Sequence, residues 1–290
     1  MNTEKVTVRT LRAMKKQGRK SVWLTAYDYP TALLLDRAGI DGILVGDSLG
    51  MVVQGHKTTL PVTLEQSIYH CQMVARGLQR AMLVGDMPFG SFQAGEDQAV
   101  ENAIRLVKEG GCEAVKFEGA GRLLSLMERL VSMGIPVMGH LGLLPQSINA
   151  IGGFHVQAKG RKTAERLLED AKRVEEAGAF ALVLECVPQE VAGMVTRELS
   201  IPTIGIGAGP DVDGQILVFH DIMDLFPGYQ PRFVRKYAHL GETIVEAVKA
   251  FIRDVQSGEY PSQDESFSMD DETFKSLIAE LEKSEEKKVK

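Results

Sequence analysis

Short apolar runs alternate along the chain with longer stretches of helical periodicity. Eight of these runs are four or five residues long, and continuous apolar runs of that length are typical of parallel strands buried on both faces. The predicted strands are residues 22–26, 43–46, 82–85, 114–117, 136–139, 181–184, 202–206 and 215–219. The predicted helices include residues 64–79, 99–109, 123–131, 163–177, 189–199 and 241–255.

Eight strands that alternate with helices predict a single closed (β/α)8 barrel, a TIM barrel, rather than an open sheet. Glycines stand just before several of the strands, and glycine readily adopts the left-handed conformation that ends a helix. We expect residues 1–267 to form the barrel as a catalytic domain, closed by the helix at 241–255. Residues 268–290 predict a charged amphipathic helical tail, whose apolar stripe is Phe274, Leu277, Ile278 and Leu281.

Composition narrows the class of protein. The chain has 290 residues, of which 44% are hydrophobic, and a formal net charge of −6, so it can bury a large core but has no basic surface for nucleic acid. No apolar run approaches the length of a membrane span, and Met1 to Lys5 lack the apolar core of a signal peptide. The three cysteines have no metal-binding or redox spacing, which is typical of a reducing compartment. We therefore expect a cytoplasmic protein without nucleic-acid or membrane partners.

Two of the predicted strands end in the same way. Residues 43–48 read Ile-Leu-Val-Gly-Asp-Ser and residues 82–87 read Met-Leu-Val-Gly-Asp-Met, so Asp47 and Asp86 follow equivalent apolar runs. An aspartate after a strand is often only a turn or cap residue. The C-terminal ends of barrel strands, however, are where enzymes of this fold carry their active sites.

Further polar residues end the next three strands. Lys116 and Glu118 are two apart, so they point the same way from a strand, and Lys116 could form a structural ion pair or serve chemistry. His140 and Glu185 follow the fifth and sixth runs, and a strand-end histidine is more often a hydrogen-bonded structural residue than a catalyst. Barrel closure brings all these strand ends to one mouth. Three carboxylates there suit a hard cation such as Mg2+, and a fourth could act as a general base.

The sequence resembles the ketopantoate hydroxymethyltransferase family over about residues 3 to 267. The resemblance rests on motifs in the same order, which lie at 24–29, 46–51, 61–63, 86–91, 115–119, 139–143, 185–188, 204–209, 213–215 and 231–233. Two departures are Glu265, where relatives often have histidine, and Asp224, where glycine is usual. Neither falls on a candidate metal or base position.

The resemblance implies a reaction and roles for individual residues. The family transfers a hydroxymethyl group from 5,10-methylenetetrahydrofolate to 3-methyl-2-oxobutanoate, which gives 2-dehydropantoate and tetrahydrofolate in pantothenate biosynthesis. By resemblance, Asp47, Asp86 and Glu118 are ligands of one Mg2+ per subunit, and Glu185 is the general base. Asp47, Ser48, Asp86 and Lys116 would bind the 2-oxo acid, and His140 is a possible auxiliary group. The family also implies a homo-oligomer, commonly a decamer.

Other interpretations remain open at this point. The chain could be a related Mg2+ barrel that acts on 2-oxo acids without folate, in the manner of phosphoenolpyruvate mutase or isocitrate lyase. Lys116 could instead be the nucleophile of a Schiff-base aldolase, although three carboxylates at one mouth favour a metal. A non-catalytic metabolite-binding or scaffold protein would have the same fold.

Overall fold

The chain forms two compact units in a computed structural model, Met1–Ala238 and His239–Lys290. The structure describes residues 4–225, 228 and 230–288. The first unit contains a closed barrel of eight parallel strands in sequential order, with β1 hydrogen-bonded to β8. Its strands are β1 (Ser21–Thr25), β2 (Gly42–Val45), β3 (Met82–Asp86), β4 (Ala114–Glu118), β5 (Val137–Gly142), β6 (Ala181–Glu185), β7 (Thr203–Ile206) and β8 (Gly214–Leu217). The predicted (β/α)8 barrel and all eight predicted strands are therefore confirmed.

Helices precede, connect and follow the strands of the barrel. In chain order they are α1 (Val8–Lys16), α2 (Tyr29–Ala38), α3 (Leu49–Val52), α4 (Leu64–Gly77), α5 (Glu96–Lys108), α6 (Leu123–Ser132), α7 (Ile148–Ile151), α8 (Arg161–Glu176), α9 (Gln189–Glu198) and α10 (Phe219–Ile222). Local sequence signals explain several of the ends. Asp28 caps α2 by accepting a hydrogen bond from the Thr31 N–H, and Gly39 ends that helix at φ 89°.

The core has an outer and an inner part. The outer part lies between the strands and the helices, whereas the inner part fills the barrel itself. Trp23 is the largest side chain of the inner part, and it requires Gly42 on the neighbouring strand, because a Cβ there would lie 2.2 Å from the indole ring. The barrel is thus a packed interior rather than a channel.

Helix α1, which the sequence analysis did not predict, closes the N-terminal end of the barrel. Thr7 and Thr10 form a capping box at its start, and its buried side chains Leu11 and Met14 join the inner core beside Trp23. Nine mostly polar residues carry too few apolar positions to stand out as a helix, so the packing against the barrel decides this element.

Asp224 follows α10 at a position with φ 55°. Aspartate tolerates this left-handed conformation better than most residues, and the Asp224 carboxylate lies 2.7 Å from Lys236 Nζ. The position that departs from the family's usual glycine therefore has a backbone conformation that glycine favours.

The second unit contains two long helices, α11 (Leu240–Ser257) and α12 (Asp271–Lys288), separated by a short 3-10 turn at Gln263–Glu265. The predicted helical tail is confirmed. The expectation that helix 241–255 closes the barrel stays a prediction. The domain division predicted after residue 267 falls inside this unit and stays a prediction. Within the described residues, no helix is long and apolar enough to cross a membrane.

Candidate active site

The predicted site residues lie at the C-terminal ends of β2 to β6. Asp86, Glu118 and Glu185 are the last residues of their strands, His140 lies within β5, and Asp47 follows β2 by two positions. The parallel register places Asp86 beside Lys116, and Glu118 beside His140. Strand pairing alone therefore sets most of the site's geometry.

Lys116 pairs with Asp86 rather than with Glu118, its neighbour on the strand. The Lys116 Nζ donates to Asp86 Oδ1 at 2.6 Å, and both side chains are about 95% buried or more. The other oxygen of Asp86 accepts a 3.3 Å hydrogen bond from the Asp47 N–H. Burial lowers the pKa of Lys116, but the charges of Asp86, Glu118 and Asp47 outweigh this effect and raise it overall. The lysine is a fixed positive charge.

One lysine does not balance the buried carboxylates. Burial, together with the charge of Asp86, raises the pKa of Asp47 to about 7. Burial also raises the pKa of Glu118 well above its usual range, and the charge of Lys116 offsets this only in part. These shifts report a surplus of negative charge that a bound cation would relieve.

His140 lies between two of the carboxylates. Its Nε2 is 3.2 Å from Glu185 Oε2, and its Nδ1 is 3.6 Å from Glu118 Oε1. Neither contact has hydrogen-bond geometry, so both ring nitrogens are buried without a hydrogen-bond partner. Burial and the nearby charge of Lys116 hold the pKa of His140 well below its usual range. The ring is neutral and can donate to only one of its two carboxylate neighbours.

Glu185 is the most accessible of the four carboxylates. Its side chain is 15% exposed, against 3% or less for Glu118 and Asp86. Burial still raises its pKa to about 7, partly offset by Lys116. A carboxylate with a pKa near neutrality that can be reached from the barrel mouth is suited to accept a proton from a substrate.

Ser48 lies beside this cluster and pairs with a residue that the sequence analysis did not single out. Its Oγ is 2.8 Å from the hydroxyl of Tyr27, which follows β1. Burial raises the pKa of Tyr27, so its hydroxyl stays protonated and available as a donor.

Gln146 is the second residue that the sequence analysis missed. It lies on the 3-10 turn Pro145–Ser147 after β5, and its side-chain amide donates to Asp47 Oδ2 at 3.0 Å. Its backbone N–H donates to Glu118 Oε2 at 3.0 Å. The only sequence signal was a lone amide after the apolar run 141–144, which carries no chemistry of its own.

The donors fit a hard divalent cation by their chemistry. Asp47, Asp86 and Glu118 offer only oxygen ligands, and the raised pKa values of Asp47 and Glu118 reflect buried negative charge that such a cation would neutralise. Among the described residues, no group of three or more histidine, cysteine, aspartate or glutamate side chains is already arranged as a metal-binding group.

The fold and the site define a (β/α)8 barrel whose mouth is lined by buried carboxylates around one lysine. The family model for ketopantoate hydroxymethyltransferase matches residues 5–263. The chain belongs to the ketopantoate hydroxymethyltransferase family. This confirms the family resemblance found in the sequence.

Individual relatives of the chain align with it over nearly their whole lengths. The chain is 53% identical over 263 residues to the 3-methyl-2-oxobutanoate hydroxymethyltransferase of Salinibacter ruber, which covers 91% of this chain and 99% of the relative. It is 50% identical over 280 residues to the protein of the same name from Acetivibrio thermocellus, which covers 97% of this chain and 98% of the relative.

Solved structures show the same fold in more distant proteins. A phosphonopyruvate hydrolase in complex with oxalate and Mg2+ has a TM-score of 0.57 and 15% identity, with 97% of this chain and 96% of that chain covered. An oxaloacetate acetylhydrolase in complex with oxalate has a TM-score of 0.58 and 12% identity, with 91% of each chain covered. At this identity the likeness concerns the fold alone.

Proposed function

We propose that this chain transfers a hydroxymethyl group from 5,10-methylenetetrahydrofolate to 3-methyl-2-oxobutanoate. The products are 2-dehydropantoate and tetrahydrofolate, with the uptake of a water molecule, in pantothenate biosynthesis. The family match over residues 5–263 supports the activity. The observation that carries the mechanism is the position of Glu185, a carboxylate with a pKa of about 7 at the same mouth as Lys116 and three further carboxylates.

Glu185 is the base in this proposal. It removes the hydrogen on C3 of the 2-oxo acid, and the C3 carbon then forms a bond to the one-carbon unit of the folate. A pKa near neutrality matches this task, since the base is partly ionised and still basic enough to take the proton. His140 Nε2 lies 3.2 Å from the Glu185 carboxylate, and His140 is the possible auxiliary group of the site.

Lys116 stabilises negative charge in the proposed reaction. Its ammonium group is permanently charged and held by Asp86, so it can face the carboxylate or the developing oxyanion of the 2-oxo acid. Asp47, Asp86 and Glu118 would hold one Mg2+ per subunit. When bound, Mg2+ would polarise the keto group and so acidify the hydrogen on C3. Asp47 and Ser48 complete the proposed binding site for the 2-oxo acid.

The ion pair argues against the Schiff-base alternative. An imine-forming lysine must lose its proton to attack a carbonyl, which requires a lowered pKa. Lys116 is held by Asp86 at 2.6 Å, and its pKa is raised. The folate-independent alternative is not favoured either, because relatives 50% and 53% identical to this chain are named 3-methyl-2-oxobutanoate hydroxymethyltransferase, whereas a phosphonopyruvate hydrolase of the same fold is 15% identical.

The test is an assay for 2-dehydropantoate with the purified full-length chain. Product should form only when 3-methyl-2-oxobutanoate, 5,10-methylenetetrahydrofolate and a divalent cation are all present. EDTA should abolish it, and Mg2+ or Mn2+ should restore it. Product without folate, or full turnover in a verified metal-free sample, would contradict the proposal.

The chain is also proposed to form a homo-oligomer, following the decamers of the family that it resembles. Helix α11 supports this, because its large apolar side chains are about half exposed in the single chain. They are Ile244, Val245, Val248, Phe251, Ile252 and Val255. Light scattering that shows a monomer at working concentration would contradict the assembly but not the chemistry. The cytoplasmic location and the lack of nucleic-acid partners stay predictions.

A further inference from the structure

A chain of side-chain amides connects the carboxylates to the loop that follows β3. Gln146 Nε2 donates to Asp47 Oδ2 at 3.0 Å and to the Met87 carbonyl at 2.9 Å. Gln146 Oε1 accepts from Gln93 Nε2 at 3.2 Å. Gln93 Oε1 accepts in turn from the N–H groups of Gly90, at 2.7 Å, and Phe92, at 3.3 Å. We call Gln93 and Gln146 the amide relay.

The direction of every hydrogen bond in the relay is determined by its ends. Backbone N–H groups can only donate, so they face the oxygen of Gln93 and turn its nitrogen toward Gln146. A carboxylate and a carbonyl can only accept, so they face the nitrogen of Gln146. Both ends therefore demand the same orientation of the Gln146 amide, which is 5% exposed and cannot turn to water.

The relay uses one oxygen of each of two carboxylates. The Gln146 side chain occupies Asp47 Oδ2, and the Gln146 backbone N–H occupies Glu118 Oε2. These bonds come from a single residue on a single turn, so they hold the two carboxylates in a fixed relation to each other. The remaining oxygen of each carboxylate is left free of these bonds.

We propose that Gln146 is a positioning residue that presents Asp47 and Glu118 to a divalent cation, and that Gln93 locks it in that orientation. The proposal rests on the cation site of the proposed function. It adds that affinity for the cation depends on neutral amides that do not contact the cation. Groups that hydrogen-bond to metal ligands often have such an effect, because they orient the ligands.

The test compares three variants by direct binding of Mn2+ alone, followed by electron paramagnetic resonance. Gln146→Met keeps length and backbone N–H but removes the donor to Asp47. It should weaken Mn2+ binding by about 10–100-fold. Gln93→Met lies at an exposed position, so it should fold normally and give a smaller weakening in the same direction. Gln72→Met on α4 removes a glutamine whose amide donates only to the Glu109 carbonyl, and it is the matched control, with unchanged binding.

A second measurement separates positioning from a loss of folding. If Gln146 positions the ligands, the metal concentration for half-maximal turnover should rise in Gln146→Met, and saturating metal should recover most of the turnover. If Gln146 had only a structural role, Gln146→Met would lower turnover equally at all metal concentrations. It would also lower the thermal midpoint of the metal-free protein. That result, or Mn2+ binding by Gln146→Met as tight as in the wild type, would overturn the proposal. Failure of the wild type to bind Mn2+ would instead overturn the cation site itself.

Discussion

Both ends of the barrel contain buried carboxylates, but the two ends differ in how many cations pair with them. At the N-terminal end, two acidic side chains each have a cation of their own and a backbone donor. Asp41 lies 2.8 Å from Arg80 and accepts from the Val22 N–H, and Asp213 lies 2.7 Å from Lys15 and accepts from the Thr203 N–H.

At the C-terminal end, several carboxylates share one cation. Asp47, Asp86, Glu118 and Glu185 surround Lys116, which is bonded to Asp86. The pKa of Asp47 and of Glu185 rises to about 7 because burial is not balanced by enough positive charge.

We interpret the N-terminal end as serving stability and the C-terminal mouth as serving function. A partly buried charge with its own partner holds neighbouring elements in place, as Lys15 of α1 does at Asp213 before β8. A buried charge without a partner costs stability, and such strain persists where it serves binding or catalysis. The acidic mouth is therefore expected to gain a cation or a proton, whereas the opposite end needs neither.

The largest effect is expected at Glu185. Wild-type protein with Mg2+ should exchange the C3 hydrogen of 3-methyl-2-oxobutanoate for solvent deuterium, because a base that takes the proton can return a deuteron. Glu185→Gln keeps the shape but cannot accept a proton, so exchange should fall by about 10²–10⁴-fold while binding of the 2-oxo acid survives. Proton NMR measures both. Wild-type exchange in the folded variant would remove Glu185 from the mechanism.

The next effect concerns the cation ligands. Asp47→Asn and Asp86→Asn each remove a charged oxygen donor, so each should weaken Mn2+ or Mg2+ binding by more than the ~10–100-fold expected for the groups around the ligands. Titration calorimetry measures the change, with Asp41→Asn as a control that should bind the metal normally. Equal affinities in the mouth variants and the control would refute the ligand assignment.

Neutralising one carboxylate at each end should change stability in opposite directions. Asp41→Asn leaves Arg80 with a weaker partner and should lower the free energy of unfolding by about 1–3 kcal/mol. Glu118→Gln removes surplus charge yet keeps an acceptor for the Gln146 N–H, so it should raise that free energy in metal-free protein by about 0.5–2 kcal/mol. Urea denaturation measures both values. Changes of the same sign would mean that the two ends do not differ as described.

The pH dependence of stability should report the same surplus. Asp47 and Glu185 titrate at about 7 in the folded protein but near 4 when unfolded, so the folded state holds more protons between these values. Their contribution is fully present below pH ~4 and is lost as the pH rises through 7. The thermal midpoint in EDTA should fall over this range, and Mg2+ should reduce the fall. A double variant, Asp47→Asn with Glu185→Gln, should flatten the profile, and a wild-type slope in that variant would assign the effect to other groups.

The last prediction is that Lys116 forms no covalent adduct with the 2-oxo acid. Borohydride added with 3-methyl-2-oxobutanoate should leave the protein mass unchanged, because Lys116 stays protonated beside Asp86. Mass spectrometry of the intact chain checks this. A stable adduct on Lys116 would establish the Schiff-base alternative. It would also contradict the view that Lys116 stays charged among the carboxylates of the mouth.

Most of the barrel and the identity of its acidic residues could be predicted from the chain alone. The apolar runs locate all eight strands, since a parallel strand covered on both faces must be apolar throughout. Because these strands are parallel, the residues that end them must meet at one mouth, which selects Asp86, Glu118 and Glu185. Helix α1 was not predicted, because its hydrophobic pattern is weak. Its side chains Leu11 and Met14 are buried only because they pack against Trp23 and the rest of the inner core.

By itself the sequence determined which residues end the strands, and so which chemistry the mouth can hold. Only the tertiary structure decided how they pair. Register turns Lys116 toward Asp86 instead of Glu118, and barrel closure brings Gln146 to Asp47 across 99 positions of chain. The physical reason is that strand formation follows from local patterns of burial, whereas a hydrogen bond depends on the position and orientation of both partners, which exist only once the barrel has closed.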